Sequence, residues 1–171
     1  MIVIVFGLPG SGKSYFASRL AKLINADYIL SDKVRKNMLI KRTYSEKEKL
    51  SVYNEMRAQM KQAIKKNKNV VLDATFYKSD IRKKFINDAS REEAIIFIEV
   101  KADERLIRER LKQLRERDSE ADFKVYEIIK AQWEPLHEKH LILQSTDDNI
   151  DDMLHEAIDY LYMKNDQRTN K

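Results

Sequence analysis

Cysteine is absent from this chain, and its 171 residues contain only three glycines, two prolines and three histidines. Without cysteine there is no disulfide, no thiolate nucleophile and no Cys-ligated zinc, so nothing points to an oxidising compartment. The shortage of glycine and proline excludes collagen-like and Gly/Pro-rich disordered classes. Long apolar runs are missing too. The N-terminal run Ile2 to Phe6 is too short for a signal segment, and no stretch reaches the roughly 18 residues of a membrane span. A cytoplasmic protein without membrane attachment is the expectation. His137, His140 and His155 show no metal-binding spacing and no nucleophile–His–acid pattern.

Hydrophobic residues make up 43% and charged residues 36%, in a length that suits one domain with a sizeable core. The net charge of +5 is unevenly spread. Lys33 to Lys68 holds twelve Lys or Arg against Glu46, Glu48 and Glu55, while Asp147 to Asp159 holds six acids and no Lys or Arg. The basic segment reads either as a solvated helix face or as a field that attracts a polyanion.

Apolar β-branched runs alternate with helical spacings along the chain. Ile2–Phe6, Asp27–Leu30, Asn69–Asp73, Ala94–Val100 and His140–Leu143 read as strands, the first buried on both faces. Helices are expected from Lys13, from Ser31 or Asp32 to about Ile40, from Ser45 to about Lys65, and from Ser79. Further helices are expected from Asp103 to about Arg117, from Ala121 to Gln132, and from Ile150 to about Tyr162. This alternation predicts an α/β fold: a parallel sheet with helices on both faces. Residues 1–163 form the domain, and 164–171 is a polar tail expected to fray.

All three glycines fall within eight residues. Gly7, Leu8, Pro9, Gly10, Ser11, Gly12, Lys13 and Ser14 fit G-x-x-x-x-G-K-[ST] without a mismatch, between a strand and a helix. Glycines let backbone N–H groups close around phosphate oxygens, and the helix beginning at Lys13 points its positive end at the same anion. Lys13 is placed to span the β- and γ-phosphates, Ser14 to offer its hydroxyl to Mg²⁺, and Tyr15 to border the nucleotide. A nucleoside triphosphate, ATP before GTP, is the expected ligand. The guanine-reading N-K-x-D motif is absent, because Asn67-Lys-Asn-Val70 lacks the acid.

Three further positions carry chemistry. Asp32 follows the second strand, where open α/β sheets bind ligands, and could take a proton from an acceptor hydroxyl. Arg35 lies one helical turn on, able to grip an acceptor anion. Asp73 closes the third strand in the position that holds Mg²⁺. Thr75 and Arg82 are weaker candidates for the acceptor side. Arg105, Arg108, Arg110, Arg115 and Arg117 crowd one helix, and a mobile arginine there could neutralise a transferring phosphoryl group.

Together GLPGSGKS, SDKVR, VVLDATF, the arginine-rich helix and DSEADFKVYEIIKAQWEP resemble the small P-loop kinases related to polynucleotide kinase, over about residues 1 to 136. The resemblance implies a P-loop NTPase fold of sheet order 2-3-1-4-5 with a lid at about 114–122. It also implies Asp32 as general base for a hydroxyl, Arg35 on the acceptor's phosphate, and lid arginines on the donor phosphates. Relatives often carry R-x-R-L-x-x-R in the lid helix. Leu114 stands here in the last Arg position, with Arg115 or Arg117 as the substitute for that arginine, which leaves Arg110 as the main lid candidate. The expected function is an ATP- and Mg²⁺-dependent kinase. Its acceptor is a hydroxyl-bearing small molecule or a nucleic-acid 5′ end; the competing reading is an ATP-driven binding switch.

Overall fold

The computed structural model describes residues 1–38, 45–89, 94–115 and 123–169, with the side chains of 114, 115 and 165–169 left aside. The strands are β1 (Ile2–Phe6), β2 (Asp27–Leu30), β3 (Val70–Asp73), β4 (Ile95–Lys101) and β5 (Leu141–Gln144). The helices are α1 (Lys13–Leu23), α2 (Ser31–Met38), α3 (Glu46–Lys65), α4 (Ser79–Asp88), α5 (Glu104–Arg115), α6 (Phe123–Ala131) and α7 (Ile150–Thr169). All strands are parallel, in the order β2-β3-β1-β4-β5. Each strand lies within one residue of its expected place.

The sheet is covered on both faces because its strands alternate between two cores. Ile2, Ile4 and Phe6 of β1 pack with Met56 and Met60 of α3 and Phe85 of α4. Val3 and Val5 face Phe16 and Leu20 of α1 and Leu154 and Leu161 of α7. Burying each such side chain stabilises the fold by about 1.5–3 kcal/mol before ordering costs. A third cluster, Ile107, Leu111 and Tyr126, seats α5 and α6 against Leu8 of the glycine loop. The base of the expected lid therefore rests directly on the glycine loop.

Two helix ends explain themselves locally. Ser45 caps α3, its hydroxyl accepting from the Glu48 N–H at 3.2 Å. At the other end of the chain α7 runs on to Thr169, through the segment expected to fray. The last buried apolar residue is Leu161, but no Gly or Pro follows, and Lys, Gln and Arg sustain helix without tertiary help. The segment 116–122, with Arg117, most of the expected lid and its acidic cluster, lies outside the described residues. Among the described residues no helix is long and apolar enough to cross a membrane.

Candidate active site

The C-terminal ends of β1, β2 and β3 lie side by side, so the turns leaving them share one edge of the sheet. A cleft of about 1030 Å³ opens there. Its lining brings together the glycine loop, Lys13, Ser14, Tyr15, Asp32, Arg35, Asp73, Thr75 and Arg110.

Sterics explain the glycine loop. At Gly7 a Cβ would collide with the Val100 carbonyl oxygen, and at Gly12, whose φ is 90°, it would come within 2.8 Å of Ser145 Oγ. Gly12 also caps α1, so that helix opens onto the loop. The Ser11 hydroxyl is buried without a hydrogen-bond partner among the described residues. Lys13 Nζ lies 3.5 Å from the Leu8 carbonyl oxygen, folded back over its own loop. An orphan hydroxyl, a lysine and an open helix start suit a phosphate chain.

Asp73 is fully buried beneath Lys13. Tyr28 of β2 donates to its Oδ2 at 2.7 Å, while Oδ1 has no partner among the described residues. Burial raises the Asp73 carboxyl above its ordinary value, and Lys13 and the Tyr28 and Ser14 hydroxyls pull it back. Burial and the neighbouring carboxylate likewise raise the Tyr28 phenol, which stays a donor. An orphan carboxylate oxygen beside a serine hydroxyl is a hard-oxygen pair that fits Mg²⁺. No cluster of three or more acidic, His or Cys side chains occurs among the described residues. That donor set matches a magnesium ion held by one carboxylate and substrate phosphates.

On the β2 side Asp32 is 71% exposed at the cleft, and Arg35 NH1 donates to its Oδ1 at 2.8 Å. Arg35 is only 13% exposed because its Nε also reaches the buried carboxylate of Glu48 at 3.0 Å. The pair therefore does share a helix face. Its third member, Glu48, escaped sequence reading; the Ser45-x-x-Glu48 spacing marks a helix start but says nothing of a partner on α2. Tyr53 lies on the apolar face of α3, as its spacing suggests. Its hydroxyl bonds Thr75 Oγ1 at 3.2 Å and accepts from the Phe76 N–H at 3.1 Å, and burial pushes the phenol up to about 12.

Arg110 lies at the opposite end of the cleft. Its guanidinium bonds Ser145 Oγ at 3.1 Å, the Thr146 carbonyl at 2.6 Å and Asp147 Oδ1 at 3.3 Å, tying α5 to the β5–α7 turn beside Gly12. Arg105 and Arg108 pair with Glu109 and Glu104 on the surface of α5. Arg115 ends α5, its side chain outside the described set. Arg82 corrects an expectation. It is 2% exposed, does not line the cleft, and donates to the backbone carbonyls of Phe76, Glu134 and Pro135. Those carbonyls, two of them more than 50 residues away in sequence, claim a guanidinium that local spacing assigned to substrate. Trp133, just past α6, stacks on Phe6 at 6.0 Å and so packs on the sheet.

A parallel sheet of this order, with a phosphate loop between its first strand and first helix, is a P-loop fold of the kinase type. Residues 2–136 match the family model described as AAA domain, and the chain belongs to that family. Similar solved structures include a gluconokinase from Sinorhizobium meliloti 1021, with TM-score 0.70 and 14% identity, covering 95% of each chain. Kti12 of Chaetomium thermophilum, in complex with ADP-AlF3, gives TM-score 0.68 and 19% identity over 96% of this chain and 98% of its own. The APS kinase CysC of Mycobacterium tuberculosis, in complex with AMPPNP and APS, gives 0.67 and 17% over 94% and 96%.

Proposed function

We propose that the protein is an ATP-dependent kinase that transfers the γ-phosphate to a hydroxyl acceptor, with Asp32 as general base. The observation that carries this reading is the position of Asp32: an exposed carboxylate in the same cleft as Lys13, Ser14 and buried Asp73. A protein that uses ATP only as a switch has no need of a carboxylate there.

The glycine loop and Lys13 hold the β- and γ-phosphates. Ser14 and Asp73 would hold Mg²⁺, which would neutralise charge on the phosphates. Arg35, braced by Glu48, fixes Asp32 through Oδ1, leaving Oδ2 without a partner among the described residues. The acceptor hydroxyl gives its proton to Asp32 as its oxygen bonds the γ-phosphorus, and the bond from that phosphorus to the ADP oxygen breaks. Arg110, which bonds Ser145 beside Gly12, and Arg115 would act on the donor phosphates, as the lid resemblance implies. The same resemblance keeps a polynucleotide 5′-hydroxyl among the acceptors, with the basic segment as its support.

The test is transfer of label from γ-labelled Mg-ATP to hydroxyl compounds, including a 5′-hydroxyl oligonucleotide. Label on an acceptor is the expected outcome. ATP bound and never turned over, whatever acceptor is present, would instead make the protein a switch.

A further inference from the structure

The cleft wall opposite the glycine loop is built from hydroxyls and compensated charges. Ser31, Thr75, Tyr53 and Tyr77 line it together with Asp32 and Arg35. Resting on the kinase reading above, we propose that the acceptor is a small uncharged polyhydroxy compound (a sugar, polyol or nucleoside) and that the Tyr77 phenol binds one of its hydroxyls.

Tyr77 supplies the first observation. The residue lines the cleft, is 1% exposed, and its phenol oxygen has no hydrogen-bond partner among the described residues. Folded proteins rarely leave such a group unpaired, and at a cleft wall the missing partner is what the cleft admits.

The backbone that delivers Tyr77 is held in an unfavourable shape. Phe76 has a φ of 46°, a left-handed conformation that a bulky side chain resists. Its N–H is fixed by the Tyr53 hydroxyl and its carbonyl by Arg82 NH1 at 2.7 Å. The bend is thus braced from both sides, and it presents Thr75 and Tyr77 to the same cleft.

Charge gives the second, independent observation. Arg35 is held between Asp32 and Glu48, and Lys49 lies 2.9 Å from Glu46. Lys78, near the Tyr77 ring, also turns to Glu46, at 3.3 Å. Of the lysines and arginines lining this half of the cleft, only Lys36 at the rim has no acid partner among the described residues. The acids Asp32, Glu46 and Glu48 and the cations Arg35, Lys49 and Lys78 offset one another, so this wall offers an anionic acceptor little beyond Lys36, whereas a polyol finds donors and acceptors on every side.

The experiment gives the full chain Mg-ATP with each of six probes. Adenosine, D-ribose, D-glucose and glycerol are neutral; D-gluconate and a 5′-hydroxyl oligonucleotide are anionic. ADP formation is measured for the wild type and for Tyr77→Phe, with the melting temperature of both. At least one neutral probe should raise ADP formation by about tenfold or more, and the variant should raise the KM for that probe about tenfold, the worth of one hydrogen bond. Its KM for ATP should not change, and its melting temperature should not fall, since the phenol has no partner to lose. Stimulation by the anionic probes alone overturns the inference, as does an unchanged acceptor KM in the variant. A melting temperature lowered by more than about 4 °C assigns the phenol a structural partner and overturns it too. ATP binding without ADP formation from any of the six overturns the inference, and the label-transfer test above decides the kinase reading separately.

Discussion

Asp73 is asked to be both buried and charged. Burial holds its carboxyl above the ordinary value, so the ligand-free fold binds that proton more tightly than the unfolded chain does. The stability from this group is therefore fully present below its unfolded-state value and is lost as pH rises from there through its folded-state value. Asp73→Asn removes the buried charge while leaving an oxygen for the Tyr28 hydroxyl. It should raise the melting temperature of the ligand-free protein by on the order of 3 °C at pH 8, and by less at pH 5. Transfer activity should fall in the same variant; a lower melting temperature at pH 8 would mean that the ionised carboxylate is stabilising. At this scale the phosphate loop was legible because its eight residues act through their own backbone. Arg82 and Tyr77 were not, since what decides their roles lies on other elements: carbonyls at 134 and 135 for one, the braced bend at Phe76 for the other.

The elements meet at one crossing, where the β3–α4 turn touches the segment that leaves α6. Arg82 spans it, the Glu134 N–H donates to the Tyr77 carbonyl at 2.9 Å, and the Glu134 carboxylate accepts from the Ser79 N–H at 2.6 Å. Arg82→Met should strip carbonyls of their buried donor and cost about 2–4 kcal/mol, read as a lower urea midpoint. A loss below about 0.5 kcal/mol would show that the turn stands without the clamp. Strand positions and helix starts were readable because period and capping are local properties: Ser45 caps α3 as its sequence suggests. The length of α7 was not, because its last turns depend on the absence of a breaker rather than on any apolar signal.

Over the whole molecule five of the twelve Lys and Arg of Lys33 to Lys68 are held in ion pairs among the described residues. Arg57 and Lys61 hold Asp88 of α4, Lys68 holds Asp27 of β2, and Arg35 and Lys49 hold acids around the cleft. A count along the sequence could not see this, because Asp27 and Asp88 lie outside the counted stretch and join it only through the fold. Mg-ATP at a hundred times its dissociation constant should add about 2.7 kcal/mol to stability. For a chain of this size that is a rise of roughly 5–10 °C in melting temperature. Lys13→Ala should lose most of it; an equal rise in that variant would place the nucleotide away from the glycine loop.

The role of Asp32 is the centre of the account, and one paired measurement addresses it. ATP affinity by calorimetry and phosphoryl transfer from labelled Mg-ATP are determined for the wild type and for Asp32→Asn. In the variant ATP affinity should stay within about twofold and transfer should fall by about 100- to 10,000-fold, the worth of a positioned general base. Transfer that survives the substitution unchanged would contradict it and require another group to take the acceptor's proton.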